Sequence, residues 1–166
     1  MNHLSPSWLK HHQALIGALG VFALTLVVDQ ISKSWANMAL WGYPQTLFPG
    51  LRLRLTHNSG VAFSIFAHES VWGTVALLVL TGVVCLGLVV VWLRCARFSQ
   101  SLALSLILAG ALGNAIDRIM VGQVTDFIEL YIGMWSWPIF NVADMAIFLG
   151  VVLWMRSAVQ GDQVEA

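Results

Sequence analysis

The chain has 166 residues, 58% of them hydrophobic and 10% charged, with eight basic and eight acidic side chains balancing to a formal net charge of zero. Soluble domains are roughly 45–50% apolar and about 25% charged, so this composition excludes a water-soluble globular fold and indicates a membrane protein. Neutrality leaves no electrostatic footprint for a polyanion, and the chain carries no nucleotide- or nucleic-acid-binding motif.

A bilayer core takes about 20 apolar residues per helix, and four segments reach that scale. The first covers about residues 13–36, uncharged from Gln13 to Val28 and continuing past Asp29 toward Trp35. A cleaved signal peptide is the competing reading, since Lys10 precedes the apolar stretch. No small-x-small site follows closely and DQISK comes next, which favours a retained helix. The connection that follows, Asn37 to Ser70, contains LRLRLT (Leu51–Thr56), whose apolar–polar alternation is that of a half-buried strand, and then the turn signal HNSG. VAFSIF resumes apolar character but is too short to span. A small β element over about residues 44–67, resting on the membrane face, is expected here.

The second span, Val71 to Leu93, has no charged residue and reaches about 34 Å as a helix. Cys85 and Cys95 are about 15 Å apart along that axis, too far for a disulfide. The third span runs from Phe98 to about Met120, uncharged until Asp117 and Arg118; the fourth is expected from near Pro138, a residue favoured in a first helical turn, to about Ser157. Four spans put both termini on one side. Lys10, Arg94, Arg97 and Arg156 fall on the terminal side against Lys33, Arg52, Arg54 and Arg118 on the other, and the short loop LRCARFSQ tips the assignment toward cytoplasmic termini. Tryptophans mark the boundaries: Trp8, Trp92 and Trp154 at one interface, Trp35, Trp41, Trp72, Trp135 and Trp137 near the other. His3, His11, His12, His57 and His68 lack metal-ligand spacing, so no metal or other cofactor is expected.

Ionisable residues inside spans are costly and mark functional sites. Here Asp29, Lys33, Asp117, Arg118 and Asp144 all sit toward the face opposite the termini, with Asp126 just after the third helix. Asp126 and Asp144 flank the hairpin between helices three and four and return to the same face. Two adjacent carboxylates share a proton, leaving one to activate water and one to donate, which is the chemistry of an aspartic peptidase; taken alone, two such acids in a membrane protein fit a proton relay equally well. Asp29 with Lys33 and Asn114 with Arg118 are i, i+4 pairs, and Asn141 with Asp144 is an i, i+3 pair, each on one helix face. Arg118 suits a carbonyl or a lipid headgroup, or else snorkels to the interface. Gly110 and Gly113 favour close helix packing. Asp117 reads as facing water or pairing locally, and Glu129 has no assigned role.

VVDQISK, HNSGVAFS, GALGNAIDR, VTDFIEL and FNVADMAI, in this order, resemble the motif set of the bacterial lipoprotein signal peptidases, or signal peptidase II, from about Ala14 to Trp154. The resemblance implies a single integral membrane domain of four transmembrane helices, with a periplasmic β-cradle between helices one and two and a short half-helix. It implies an inner-membrane aspartic endopeptidase, with Asp126 and Asp144 catalytic, that cleaves a prolipoprotein before a cysteine already carrying diacylglycerol. Asp29, Lys33, Asn58, Gly60, Gly110, Asn114, Arg118, Asn141 and Ala143 become support or substrate-contact residues. His57 replaces an aromatic residue frequent in the family and Ala109 a frequent second glycine; neither touches the pair. The expected partners are lipid-modified prolipoproteins and membrane lipids, with the enzyme a monomer whose active site lies near the periplasmic face. A small proton-coupled transporter is the alternative from another class, and a Ser32–Lys33 peptidase is disfavoured because adjacent residues diverge on a helix.

Overall fold

The computed structural model describes residues 7–60, 71–95 and 97–162. Its elements are α1 (Ser7–Ala39), β1 (Gln45–Phe48), β2 (Leu51–Asn58), α2 (Val71–Arg94), α3 (Phe98–Val121), β3 (Val124–Ile132), β4 (Trp135–Ser136) and α4 (Val142–Asp162). Each helix holds a stretch long and apolar enough to cross a membrane: His12–Ala39, Val71–Arg94, Phe98–Val121 and Val142–Val159.

Helix α3 packs against the other three. Small residues on its inner face make that possible, among them Ala103, Ala109, Gly110 and Gly113, all buried. A Cβ at Gly110 would collide with the Ala143 carbonyl oxygen, and one at Gly150 would lie 2.7 Å from the Ala103 carbonyl oxygen, so α3 and α4 touch backbone to backbone. Helix α2 instead turns most of its side chains outward; Gly73 and Trp92 are its fully buried residues, and Cys85, Leu88 and Val89 pack partly buried against the core. One core cluster, Ala18, Trp92, Cys95, Leu104 and Leu108, fills the terminal end of the bundle. Trp92 therefore points into the bundle rather than toward a headgroup layer, with its ring 6.2 Å from that of Phe22. Trp35, Trp41, Trp72, Trp135 and Trp137 at the opposite end are exposed, as expected of interfacial anchors.

The four strands form one antiparallel succession, β1-β2-β3-β4. LRLRLT forms a strand as expected, but the β element is not confined to the connection between α1 and α2. Its other half is β3 and β4, from the chain between α3 and α4; β3 lies beside β2 with Thr56 opposite Asp126 and Asn58 opposite Val124. A second core cluster, Ala36, Leu40 and Phe127, seats the sheet on the bundle. The reading of VAFSIF falls outside the described residues.

Local signals end the helices where the site needs them. Gly42, at φ +84°, and Pro44 follow the end of α1. Gly122 adopts the left-handed conformation after α3 and donates its N–H to the Arg118 carbonyl. Helix α4 starts at Val142, four residues later than Pro138 suggested, because the Phe140 backbone is still held in the sheet: its N–H donates to Ile128 O at 3.0 Å and its carbonyl accepts from Ile128 N at 2.8 Å. Asn141 then caps the helix. Its Oδ1 accepts the Asp144 N–H at 2.9 Å, while Asp144 Oδ2 accepts the Asn141 N–H at 3.2 Å, a reciprocal capping box with aspartate in place of the usual glutamate.

Candidate active site

The bridge between Phe140 and Ile128 brings the start of α4 beside β3, and with it Asp144 beside Asp126. Asp126 is buried on β3 and accepts two amide hydrogen bonds, from Asn141 Nδ2 at 2.7 Å and from Asn58 Nδ2 at 3.2 Å. Asn58 reaches it diagonally across the β2–β3 pair. Asp144, in the first turn of α4, accepts from Asn114 Nδ2 at 2.8 Å as well as from Asn141 N. Asn141 thus touches both carboxylates, one with its side chain and one with its backbone. Its orientation is fixed because Oδ1 is occupied by the helix cap.

The two carboxylates sit in different settings. Burial pushes the Asp126 carboxyl up to about 6, and the neighbouring Asp144 charge pushes the same way; hydrogen bonds from Asn58 and Asn141 and the charge of Lys33 only partly offset this. Asp144 lies at a helix N-terminus, where backbone N–H groups favour negative charge. It also opens onto an apolar cavity of about 480 Å³ lined by Leu130, Trp137, Phe140, Met145 and Phe148.

Asp29 and Lys33 form a buried ion pair at 2.9 Å. Asp29 also accepts the Ala143 N–H at 2.9 Å, tying α1 to α4. Ala143 is wholly buried, and its carbonyl oxygen packs directly on the buried Gly110 of α3, so the structure places both at the α3–α4 contact. Gly60 has φ +94° and donates its N–H to Asn58 Oδ1 at 2.9 Å, which holds the Asn58 amide toward Asp126. Arg118 is half-buried; its Nη1 reaches only the Asn114 carbonyl, at 3.4 Å, and its Nε is buried with no partner among the described residues. Ser32 donates to the Asp29 carbonyl at 2.8 Å and does not meet Lys33, so no serine–lysine pair forms.

Several residues that matter here were not legible in the sequence. Asp117 does not face water: it is buried, 3.3 Å from Lys33 Nζ, and accepts the Thr125 N–H at 2.9 Å. Asn37 donates to Thr125 Oγ1 at 3.2 Å and accepts from His57 Nε2 at 2.9 Å. Glu129 is buried in the sheet and accepts from Arg52 Nε and Nη2, at 2.6 and 2.8 Å. The signal available was the burial cost of any unpaired charge in an apolar chain; the partners only appear in three dimensions.

Fold and site together define a multi-pass membrane protein with a paired-carboxylate centre at one end of its bundle, where a small sheet covers the helices. The chain belongs to the signal peptidase II family, whose model, described as signal peptidase (SPase) II, matches residues 21–160. It is 43% identical over 134 residues to a lipoprotein signal peptidase of Hydrogenovibrio crunogenus, covering 78% of this chain and 77% of that one. It is 36% identical over 152 residues to that of a Janthinobacterium species, covering 89% and 91%. A solved bacterial membrane enzyme structure superposes with a TM-score of 0.79 at 27% identity, covering 90% of this chain and 92% of that one. The chain is therefore a bacterial membrane peptidase. Nothing in these comparisons favours a transporter.

Proposed function

We propose that this chain is an aspartic endopeptidase that removes the signal peptide from diacylglyceryl-modified prolipoproteins by cleaving before the lipidated cysteine, with Asp126 and Asp144 as its catalytic pair. The relatives' shared name, lipoprotein signal peptidase, supports the substrate class. The observation that carries the catalytic assignment is the sharing of Asn141 by two carboxylates in unlike settings.

Asp126, whose burial favours the neutral form, is the acid, and Asp144, at the helix N-terminus, is the base. Asp144 takes a proton from water as the water oxygen adds to the scissile carbonyl carbon, and the Asp126 proton passes to the carbonyl oxygen. When the tetrahedral diol collapses, the C–N bond breaks. The cysteine nitrogen leaves as an amine with the proton held on Asp144, and a diol proton returns to Asp126. The apolar cavity beside Asp144 suits an acyl chain, and the Arg118 guanidinium, whose Nε has no partner among the described residues, suits a substrate carbonyl or a lipid headgroup.

The enzyme sits in the bacterial inner membrane as a monomer with cytoplasmic termini and its active site near the periplasmic face. The basic loop beside Arg94 and Arg97 supports this orientation. The test uses purified protein in detergent with a diacylglyceryl-modified prolipoprotein. Asp126→Asn and Asp144→Asn should each abolish cleavage while the protein still unfolds cooperatively; unchanged cleavage in both variants overturns the assignment.

A further inference from the structure

Asp117 has no part in the chemistry above, yet its carboxylate lies between the two halves of the site. Oδ2 accepts the backbone N–H of Thr125, the residue directly before Asp126, at 2.9 Å, and lies 3.3 Å from Lys33 Nζ. Oδ1 accepts from Gln30 Nε2 at 3.3 Å. Lys33 in turn donates to Asn114 Oδ1 at 2.9 Å, and Asn114 Nδ2 donates to Asp144 at 2.8 Å. An unbroken run of polar contacts therefore joins the backbone beside Asp126 to the carboxylate of Asp144, passing through Asp117, Lys33 and Asn114.

Charge matters as much as geometry. Lys33 is a buried cation shared by two carboxylates, Asp29 at 2.9 Å and Asp117 at 3.3 Å, so the triad carries a net charge of −1. The field of Lys33 reaches Asp126. The other ionisable groups around this region are Arg118 on α3, Asp144 on α4, and His57 on β2, which connects through Asn37.

We propose that Asp117 is a positioning residue for the peptidase reaction, fixing the strand that carries Asp126 to α3 and setting how strongly Lys33 draws on the Asp126 carboxylate. The proposal rests on the assignment of Asp126 and Asp144 as the catalytic pair. Asp117→Asn separates the two roles, because an asparagine Oδ1 still accepts the Thr125 N–H while Lys33 loses a counter-charge.

The experiment is a pH profile of kcat and KM for the full chain in detergent, using a lipid-modified prolipoprotein, with thermal unfolding measured in parallel. With Lys33 less compensated, Asp126 gives up its proton at lower pH. The alkaline limb of kcat/KM in Asp117→Asn should move down by about 0.5–1 pH unit, with KM within about twofold of the parent value. Lys33→Gln should move the limb the other way. The double variant Asp117→Asn/Lys33→Gln restores the net charge of the triad and should bring the limb back near its parent position; it also serves where Asp117→Asn does not fold. A limb that stays fixed in Asp117→Asn, with any loss of rate tracking loss of folded protein, overturns the proposal, as does a double variant with a displaced limb. Retained cleavage in Asp126→Asn overturns the underlying assignment instead, which keeps the two failures distinct.

Discussion

Lys33 Nζ lies 2.9 Å from Asn114 Oδ1, and this contact decides which way the Asn114 amide faces. Asn141 Nδ2 donates to the same oxygen at 3.1 Å, so the Asn114 nitrogen is left to point at Asp144. A lysine on α1 thus orients a donor on α3 toward a carboxylate on α4.

Removing that cation should be severe. Lys33→Met keeps most of the side-chain volume but strands Asp29 and Asp117 as buried carboxylates with no cation between them. Breaking a buried pair by deleting one partner costs about 3–5 kcal/mol. Lys33→Met should therefore unfold at a much lower temperature in detergent; a melting temperature equal to the parent's would show that the triad contributes nothing net.

Asn141 joins the helix cap to the site, so its loss should be felt in both. Asn141→Ala removes the cap on Asp144 N and the donor to Asp126 Oδ1. Loss of a cap alone costs about 1 kcal/mol. Without the side-chain amide, the Asp126 carboxyl is free to turn, so kcat should fall at least about 100-fold, well beyond what the loss of folded protein explains. Parallel losses of folded fraction and rate would instead make Asn141 a cap and nothing more.

The spans were legible because hydropathy over twenty residues needs no tertiary knowledge. LRLRLT was legible for the same kind of reason: its leucines alternate with polar residues, and Leu53 and Leu55 pack against the core cluster that seats the sheet. VTDFIELYI was not, because β3 is buried along its first four residues on both faces, with polar side chains satisfied inside. Its pattern therefore resembles neither an alternating strand nor a span. Pro138 misled for a local reason, since a first-turn preference cannot reveal that Phe140 is paired with Ile128. The carboxylate pair itself was readable, because both ends of one hairpin must return to one face. The network behind it was not: Asp117 needs the backbone N–H of Thr125, and no spacing rule encodes that contact.

Two carboxylates on β3 should give stability opposite dependences on pH. Asp126 is raised from 3.8 to about 6 by burial and by the Asp144 charge. Its protonated form favours the folded state, so this contribution is complete below 3.8 and is lost as pH rises toward about 6. Glu129 is held below its usual 4.5 chiefly by its hydrogen bonds from Arg52, so its contribution is present above 4.5 and lost as pH falls further. Thermal unfolding across pH 3 to 8 should show both limbs. Asp126→Asn should flatten the alkaline one and Glu129→Gln the acid one; an unchanged alkaline limb in Asp126→Asn would mean that Asp126 ionises freely.

Gly113 offers a test of how tightly α1, α3 and α4 close around the ion triad. A Cβ at this position would run into Asp29 Oδ2, the oxygen that pairs with Lys33, and would also contact the Ala143 side chain. The displaced carboxylate would have to give up either Lys33 or the Ala143 N–H, the bond that ties α1 to the first turn of α4. Overpacking of this kind costs about 1–3 kcal/mol. Gly113→Ala should therefore lower thermal stability by that amount and reduce kcat, because Asp144 lies one residue beyond the disturbed N–H. Gly20→Ala makes a fair control, having nothing within 4 Å of the added methyl group. If both variants behave alike, the close approach at Gly113 is not what holds the site together.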